Sequence, residues 1–376
     1  MKEYLIILKP QAIVSRFPSS DTIFGGICWS YRTLFPERFE RFINSWYEGK
    51  PCFIISSAFP MIHNKETRIF FLPKPSGCEP SNKELEQMRE IHGRRIVEVK
   101  YSSKMQPHLS DKCSMLEILS YWKKFKKLRY ISSSLFIEMA EGRTLSHYFS
   151  DYLESLYSSE RNEHIVLKGC YLLKARELDS VKDSFIMPRE IPVQKNSIDR
   201  LYGSTSGAGQ TYYEDSIFLG KSMNLYFLIR TDDIEELKSV LRFQAETGIG
   251  CNRSTGANTY DIAIEESPFS FDTHQGSRFL TLSRYIPCGK SQDINIADDS
   301  EYDLLPVRSK VESREEFKSL DIWKNRIICC KEGSCFSIRE QREFWGAAPE
   351  VKILDGKRII QYGYAYPVFG KWGSSS

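Results

Sequence analysis

The pattern that most constrains this chain occurs twice: a short apolar run followed at once by a capped amphipathic helix. Residues 4–8 (YLIIL) are apolar and closed by Lys9 and Pro10, which reads as a buried strand. Ser20 or Asp21 then stands where a helix cap belongs, and Ile23, Phe24, Ile27, Tyr31 and Leu34 fall on one helical face. Gly25 and Gly26 cost helix propensity there, so a close approach of something to the backbone is expected. CFIISSAF and RIFFLPKP supply two further strands. The same pattern returns near residue 224, where NLYFLIR is a strand and Asp232 is placed to cap a helix, with Glu235 completing a capping box. Ile234, Leu237, Val240 and Leu241 form the apolar stripe of that helix, and the alternating run TYDIAI follows it. FLTLSRYI, RIICC and RIIQYGYAYPVF add strands toward the C-terminus. Two units that each open β-α-β predict an α+β chain of two ferredoxin-like (RRM-like) domains. The boundary falls near residues 214–222, giving domains of residues 1–215 and 216–376.

Residues 76–190 interrupt the first domain with mixed charge and helical periodicity, as in MLEILSYWKKFKKLRYI, and are expected to form a helical insertion. Lys123, Lys124, Lys126, Lys127 and Arg129 alternate there with Trp122, Phe125 and Leu128. An amphipathic helix with a solvated basic face accounts for this spacing better than RNA contact does. A formal net charge of +3 over 376 residues excludes a polycation that coats nucleic acid, so any such site must be a local patch. The ten cysteines include no Cys-x-x-Cys pair, and Cys329, Cys330 and Cys335 have no histidine near them in sequence. Free thiols in a reducing compartment are expected, with no metal and no cofactor. The first apolar run is too short for a signal peptide, and no stretch of about 18 apolar residues occurs, so a cytoplasmic protein is expected.

Two stretches carry chemistry. Residues 247–258 hold Gly248, Gly250 and Gly256, with Arg253, Ser254 and Thr255 among them. Glycines allow sharp turns and close approach, while backbone N–H groups, arginine and hydroxyls suit phosphate oxygens. This is not a P-loop, since the glycines follow a helix and precede a strand, and a connector without ligand fits the spacing equally well. Residues 194–215, QKNSIDRLYGSTSGAGQTYYED, offer Lys195, Asn196 and Arg200 and then Tyr212 and Tyr213. The segment is either a plain surface hairpin or a finger whose cations hold phosphates and whose aromatics stack on bases.

In order along the chain, SSDTIFGGICWSY, IFFLPKP, KNSIDRLYGSTSGAGQTYYED, GIGCNRSTG and YGYAYPVF resemble the RAMP superfamily, the ferredoxin-like RNA-binding proteins of CRISPR systems. More narrowly, the chain resembles the fourth subunit of type III-A (Csm) effector complexes. These stretches span residues 19–369 and leave most of 76–190 uncovered. The resemblance implies a subunit that holds the repeat-derived 5′ tag of crRNA, the CRISPR guide. It also implies docking on the large polymerase-like subunit and on the first backbone RAMP subunit, with no membrane. The RNA-binding residues expected are Ser19, Asp21, Lys195, Asn196, Arg200, Tyr212, Gly248, Gly250, Arg253, Ser254, Thr255 and Gly256. Trp122, Phe344 and Trp345 are expected to anchor protein interfaces.

Some members of that superfamily cut guide precursors, and metal-free RNA cleavage needs a base, an acid and a cation at one phosphate. None of the six histidines, at 63, 92, 108, 147, 164 and 274, lies in these motifs. Asp232–Asp233 suits a helix cap, and Asp298–Asp299 lies in a polar loop. A scaffold without catalytic residues is therefore expected, with a metal-independent endoribonuclease as the alternative.

Overall fold

The structure, a computed structural model, describes residues 1–373 apart from 65–66, 102–106, 159–163, 183–184, 200–202, 204–210, 270, 272–275, 289–293, 296–298, 312–320 and 340. Its centre is β1 (Lys2–Pro10), in which Leu5, Ile6, Ile7 and Leu8 are all buried. A strand apolar on both faces needs cover on both, and β1 has it. It leads to α1 (Ser20–Leu34), α2 (Pro36–Tyr47), β2 (Phe53–Ile55) and β3 (Phe59–His63). An excursion follows, from β4 (Arg68–Pro73) through α3 (Asn82–Met88), α4 (Arg94–Tyr101) and α5 (Pro107–Phe125) to β5 (Tyr130–Ser132). It continues as α6 (Ser133–Ala140), α7 (Leu145–Ser155), β6 (Ile165–Lys168), β7 (Tyr171–Lys174), α8 (Ala175–Val181) and the hairpin β8 (Arg189–Asn196) with β9 (Thr211–Phe218). The chain then returns as β10 (Met223–Thr231), α9 (Ile234–Thr247) and β11 (Tyr260–Glu266).

The sheet runs β11-β1-β10-β3-β4-β5-β7-β6, with β2 also paired to β10. Its first four positions have the 4-1-3-2 order of one ferredoxin-like unit, built from β1, β2/β3, β10 and β11 with α1 and α9 as its helices. The two β-α-β patterns are thus halves of a single domain, which corrects the boundary between 215 and 216. The reason is the backbone pairing: β1 lies antiparallel to β10 from Lys2↔Thr231 to Leu8↔Leu225, and to β11 from Tyr4↔Glu266 to Pro10↔Tyr260. The helices meet where Gln244 of α9 donates to the Ile23 carbonyl at 2.8 Å. Gly26 permits this, because a Cβ there would stand 2.2 Å from Gln244 Nε2, whereas nothing lies within 4 Å of one at Gly25. The cap of α9 is Asp233, which accepts from the Glu236 N–H at 3.0 Å, one residue beyond the Asp232 expected. Asp232 instead pairs with the terminal ammonium at 3.2 Å.

Within the excursion, Trp122, Phe125 and Leu128 are buried and the intervening lysines point outward, the arrangement expected of an amphipathic helix. Trp122 is 6% exposed and Trp345 2%, and Phe344 is half-buried, so the first two are core residues and not interface anchors. Aromatic neighbours take them up: Trp122 packs on Phe149, and Trp345 on Phe279 and Phe369.

The remaining strands are β12 (Arg278–Thr281), β13 (Ile294–Asn295), β14 (Leu304–Val307), β15 (Ile327–Cys330), β16 (Cys335–Ile338), β17 (Glu350–Leu354), β18 (Lys357–Ile360) and β19 (Pro367–Phe369). They form a sheet in the order β13-β16-β12-β19 and the pairs β14–β15 and β17–β18. Among the described residues no helix follows Thr255, and the described strands from Arg278 onward show no second β-α-β unit. The ten cysteines are free, and among the described residues no helix is long and apolar enough to cross a membrane.

A buried ion pair fastens these strands to α1. Both Asp21 carboxylate oxygens accept from Arg284 Nη1, at 2.9 and 3.0 Å, and Gln361 Nε2 and the Ser19 hydroxyl donate to them at 2.8 and 2.6 Å. The Arg284 N–H donates to Ser20 Oγ at 3.0 Å. With the Asp21 side chain 4% exposed and that of Arg284 18%, removing one partner strands a charge. Asp21→Ala is expected to lower unfolding free energy in urea by about 3 kcal/mol. A loss under about 1 kcal/mol, as for a surface pair, would contradict this role.

Candidate nucleic-acid interface

The loop after α9 begins at Gly248, with φ 92° and an ideal Cβ position only 3.0 Å from Arg253 Cγ and 3.1 Å from the Ala257 carbonyl. Gly250 has φ 98° and sits against Thr22 in the first turn of α1, where a Cβ on the glycine would stand 3.3 Å from Thr22 Cγ2. Asn252 and Asn258 also adopt left-handed backbone, at φ 60° and 58°, which asparagine tolerates better than most side chains. Inside the turn the amides of Thr255, Gly256 and Ala257 are spent on the carbonyls of Asn252 and Arg253. Those of Gly250, Cys251 and Asn252 donate to no acceptor among the described residues, so they remain open to an anion. Ser254, Thr255 and Gly256 are exposed, though the Thr255 hydroxyl donates to the Asn252 carbonyl at 2.9 Å.

The mid-chain motif folds as the hairpin β8–β9, in which Lys195 pairs with Tyr212 and Asn196 with Thr211. Tyr212 and Tyr213 are 48% and 67% exposed. Glu214 joins this hairpin to the loop: one carboxylate oxygen accepts from Lys195 Nζ and the other from Asn252 Nδ2. Lys195 first, and then Asn252, hold that carboxyl below the ordinary carboxylate range. The tie is thus formed at neutral pH and is lost as pH falls through the lowered value.

A strap from β1 to α1, residues 11–17, lies between loop and hairpin and pairs with both. The Val14 carbonyl accepts from the Ile217 N–H at 2.6 Å, and the Ile13 carbonyl from the Asn258 N–H at 2.9 Å. The Ser15 N–H donates to Asn258 Oδ1 at 2.7 Å, and Asn258 Nδ2 to the Cys251 carbonyl at 2.6 Å. Arg16 projects from the strap, exposed and without an ion pair among the described residues. Sequence reasoning missed it, since a lone arginine before Phe17 and Pro18 carries no motif; its signal is the sheet pairing on either side.

The structure therefore joins Lys195 to the glycine loop through Glu214 and Asn252, with Asn196 and Tyr212 on the same hairpin and Arg253, Ser254 and Thr255 in the turn. Ser19 adjoins them through Thr22, whose hydroxyl is 3.0 Å away. Asp21 is corrected: its carboxylate is enclosed by Arg284 and Gln361 and faces the C-terminal strands, because a buried anion needs those donors. Arg200 lies outside the described residues. Among the described residues no cluster of His, Cys, Asp and Glu could hold a metal ion. The described histidines make no hydrogen bond to loop, strap or hairpin; His92, for one, is buried between Tyr157 and Ser150, each at 2.7 Å.

No protein-family model matches the chain, and no curated protein matches it by sequence. Among solved structures, the fold is shared over its full length with RAMP-kind subunits of type III-A CRISPR complexes. The match in the Csm3–Csm4 subcomplex of the type III-A CRISPR-Cas interference complex has a TM-score of 0.55 at 17% identity, covering 95% of this chain and 98% of that one. The match in the Csm1–Csm4 cassette in complex with AMPPNP has a TM-score of 0.51 at 15% identity and covers 100% of both chains. In both, the chain of like fold is Csm4.

If Glu214 is the tie, Glu214→Ala raises amide hydrogen exchange across 211–215 and 255–258 by about fivefold, the worth of one net hydrogen bond. Exchange confined to wild-type rates in both segments would show that the strap alone holds them together.

Proposed function

We propose that this chain is a non-catalytic RNA-binding subunit of a type III-A (Csm) effector complex, serving antiviral defence by holding the 5′ tag of crRNA. The observation that carries this reading is the seam at Glu214, which sets an exposed tyrosine pair and a glycine turn with open amides side by side. Single-stranded RNA is held by that combination of backbone donors, cations and stacking rings. A Csm4-like subunit would pair with Csm1, the large polymerase-like subunit, and with Csm3, the backbone RAMP, as in the structures of like fold. Such partners suit a chain of net charge +3, whose bulk charge gives RNA little grip. We assign the two ferredoxin-like domains of the superfamily to this chain only in part, since one is complete.

Scaffold is preferred to nuclease because no described histidine stands in the seam. His63 is held below its usual range first by burial and then by Arg68 and Lys9, away from the loop and hairpin contacts. The purified chain should bind tag RNA and leave it uncut with or without Mg²⁺ or Mn²⁺. Arg16→Ala with Arg253→Ala should weaken binding and lower the salt slope by about 0.7 per lost phosphate contact. Unchanged binding by that pair would remove both residues from the interface. A discrete cleavage product that disappears on substituting His63 or His274 would establish the nuclease instead.

A further inference from the structure

The strands β14 and β15 continue past their ladder. Lys310 bridges to Trp323, the Lys324 N–H donates to the Ser309 carbonyl at 2.9 Å, and the Val311 N–H to the Ile322 carbonyl at 2.8 Å. The result is a β-ribbon of residues 304–311 against 322–330. Alternation divides its faces: Val307 is buried, whereas Leu304, Pro306, Arg308 and Lys310 are all exposed. Across from them stand Ile328, opposite Pro306, and Trp323, opposite Lys310. Trp323 is 41% exposed, the most open of the six tryptophans. The Arg308 guanidinium lies 5.4 Å from its ring centre and the Lys310 ammonium 4.8 Å. Arg326, on the same strand as Trp323, is exposed as well. None of these three cations forms an ion pair among the described residues, and the Asp321 carboxylate, two residues before Trp323, is taken by Lys352 at 2.7 Å.

Beside Trp323 the ribbon is linked inward to the first turn of α1. Lys324 Nζ donates to Gln361 Oε1 at 3.1 Å, and Gln361 Nε2 to Asp21 Oδ2 at 2.8 Å. Asp21 lies in the first turn of α1, whose next residue, Thr22, abuts Gly250. We propose that the outer face of this ribbon is a second contact for single-stranded RNA, continuing the path from the glycine loop. Phosphates meet Arg308, Lys310 and Arg326, and a base stacks on Trp323. Unpaired cations beside an open indole suit a polyanion with π-faces, and the link through Gln361 and Asp21 to the helix turn that abuts Gly250 favours RNA over an acidic protein surface.

The proposal rests on the RNA-binding reading above, and one experiment separates the two. Full-length chain is titrated with labelled oligoribonucleotides of about 8 and about 20 nucleotides, lengths that bracket a single-strand site. Wild type should bind the longer RNA more tightly. Trp323→Ala, and separately Arg308→Ala with Lys310→Ala, should abolish that gain, a loss of about tenfold or more, while leaving the short RNA unaffected. The double variant should also lower the salt slope for the longer RNA by about 1.4. All these side chains are exposed, so the circular dichroism melts should match wild type. Variants that bind both lengths as wild type does would overturn the ribbon contact and leave the loop reading intact. Wild type that binds neither length would overturn both. Variants with normal RNA binding that no longer co-purify with the large subunit would make the ribbon a protein dock and refute its RNA contact.

Discussion

The fold depends on the pairing of β1 with two strands that the chain supplies only after residue 222. β1 cannot be satisfied locally: its four central side chains are apolar on both faces, and its backbone bonds go to β10 and β11. The hairpin that normally joins the second and third strands of a ferredoxin-like unit is therefore opened at β3 and β10 to admit residues 64–222. The excursion extends the same sheet through β4, β5, β7 and β6 and returns in register. Closing so long a loop costs only slowly rising entropy, so the insertion is tolerable as long as its ends remain neighbours.

That arrangement also places the candidate site. Strap, hairpin and glycine loop come from three distant parts of the sequence, and each lies next to an end of β1, β10 or β11. The strap leaves β1, the hairpin enters β10, and the loop enters β11. Their meeting follows from sheet order and not from any local motif. The electrostatics are equally local. Lys195 is neutralised in part by Glu214, so the seam offers open amides, Arg16 and exposed tyrosines rather than a dense basic surface.

Much of this was legible in the sequence wherever the signal was periodic. The stripe of α9, the buried Trp122–Phe125–Leu128 face and the strands near 4–8 and 224–230 all follow from spacing. The domain division was not legible, because two domains opening β-α-β and two halves of one domain have the same local pattern. Only non-local pairing separates them. A clue was present in β10, whose nine residues are all buried, as befits a strand between two others. The motifs at 194–215 and 247–258 marked the site, but Arg16 did not, and Asp21 was misplaced because cap and buried ion-pair partner share one residue type.

The central claim is that loop, strap and hairpin form one RNA surface. Ultraviolet crosslinking of crRNA in the assembled complex, with peptides identified by mass spectrometry, tests it most directly. Labels should fall together in residues 11–17, 211–215 and 250–256. Labels confined to 120–130, on the basic face of α5 and the turn after it, would contradict the account and move the RNA path to the insertion.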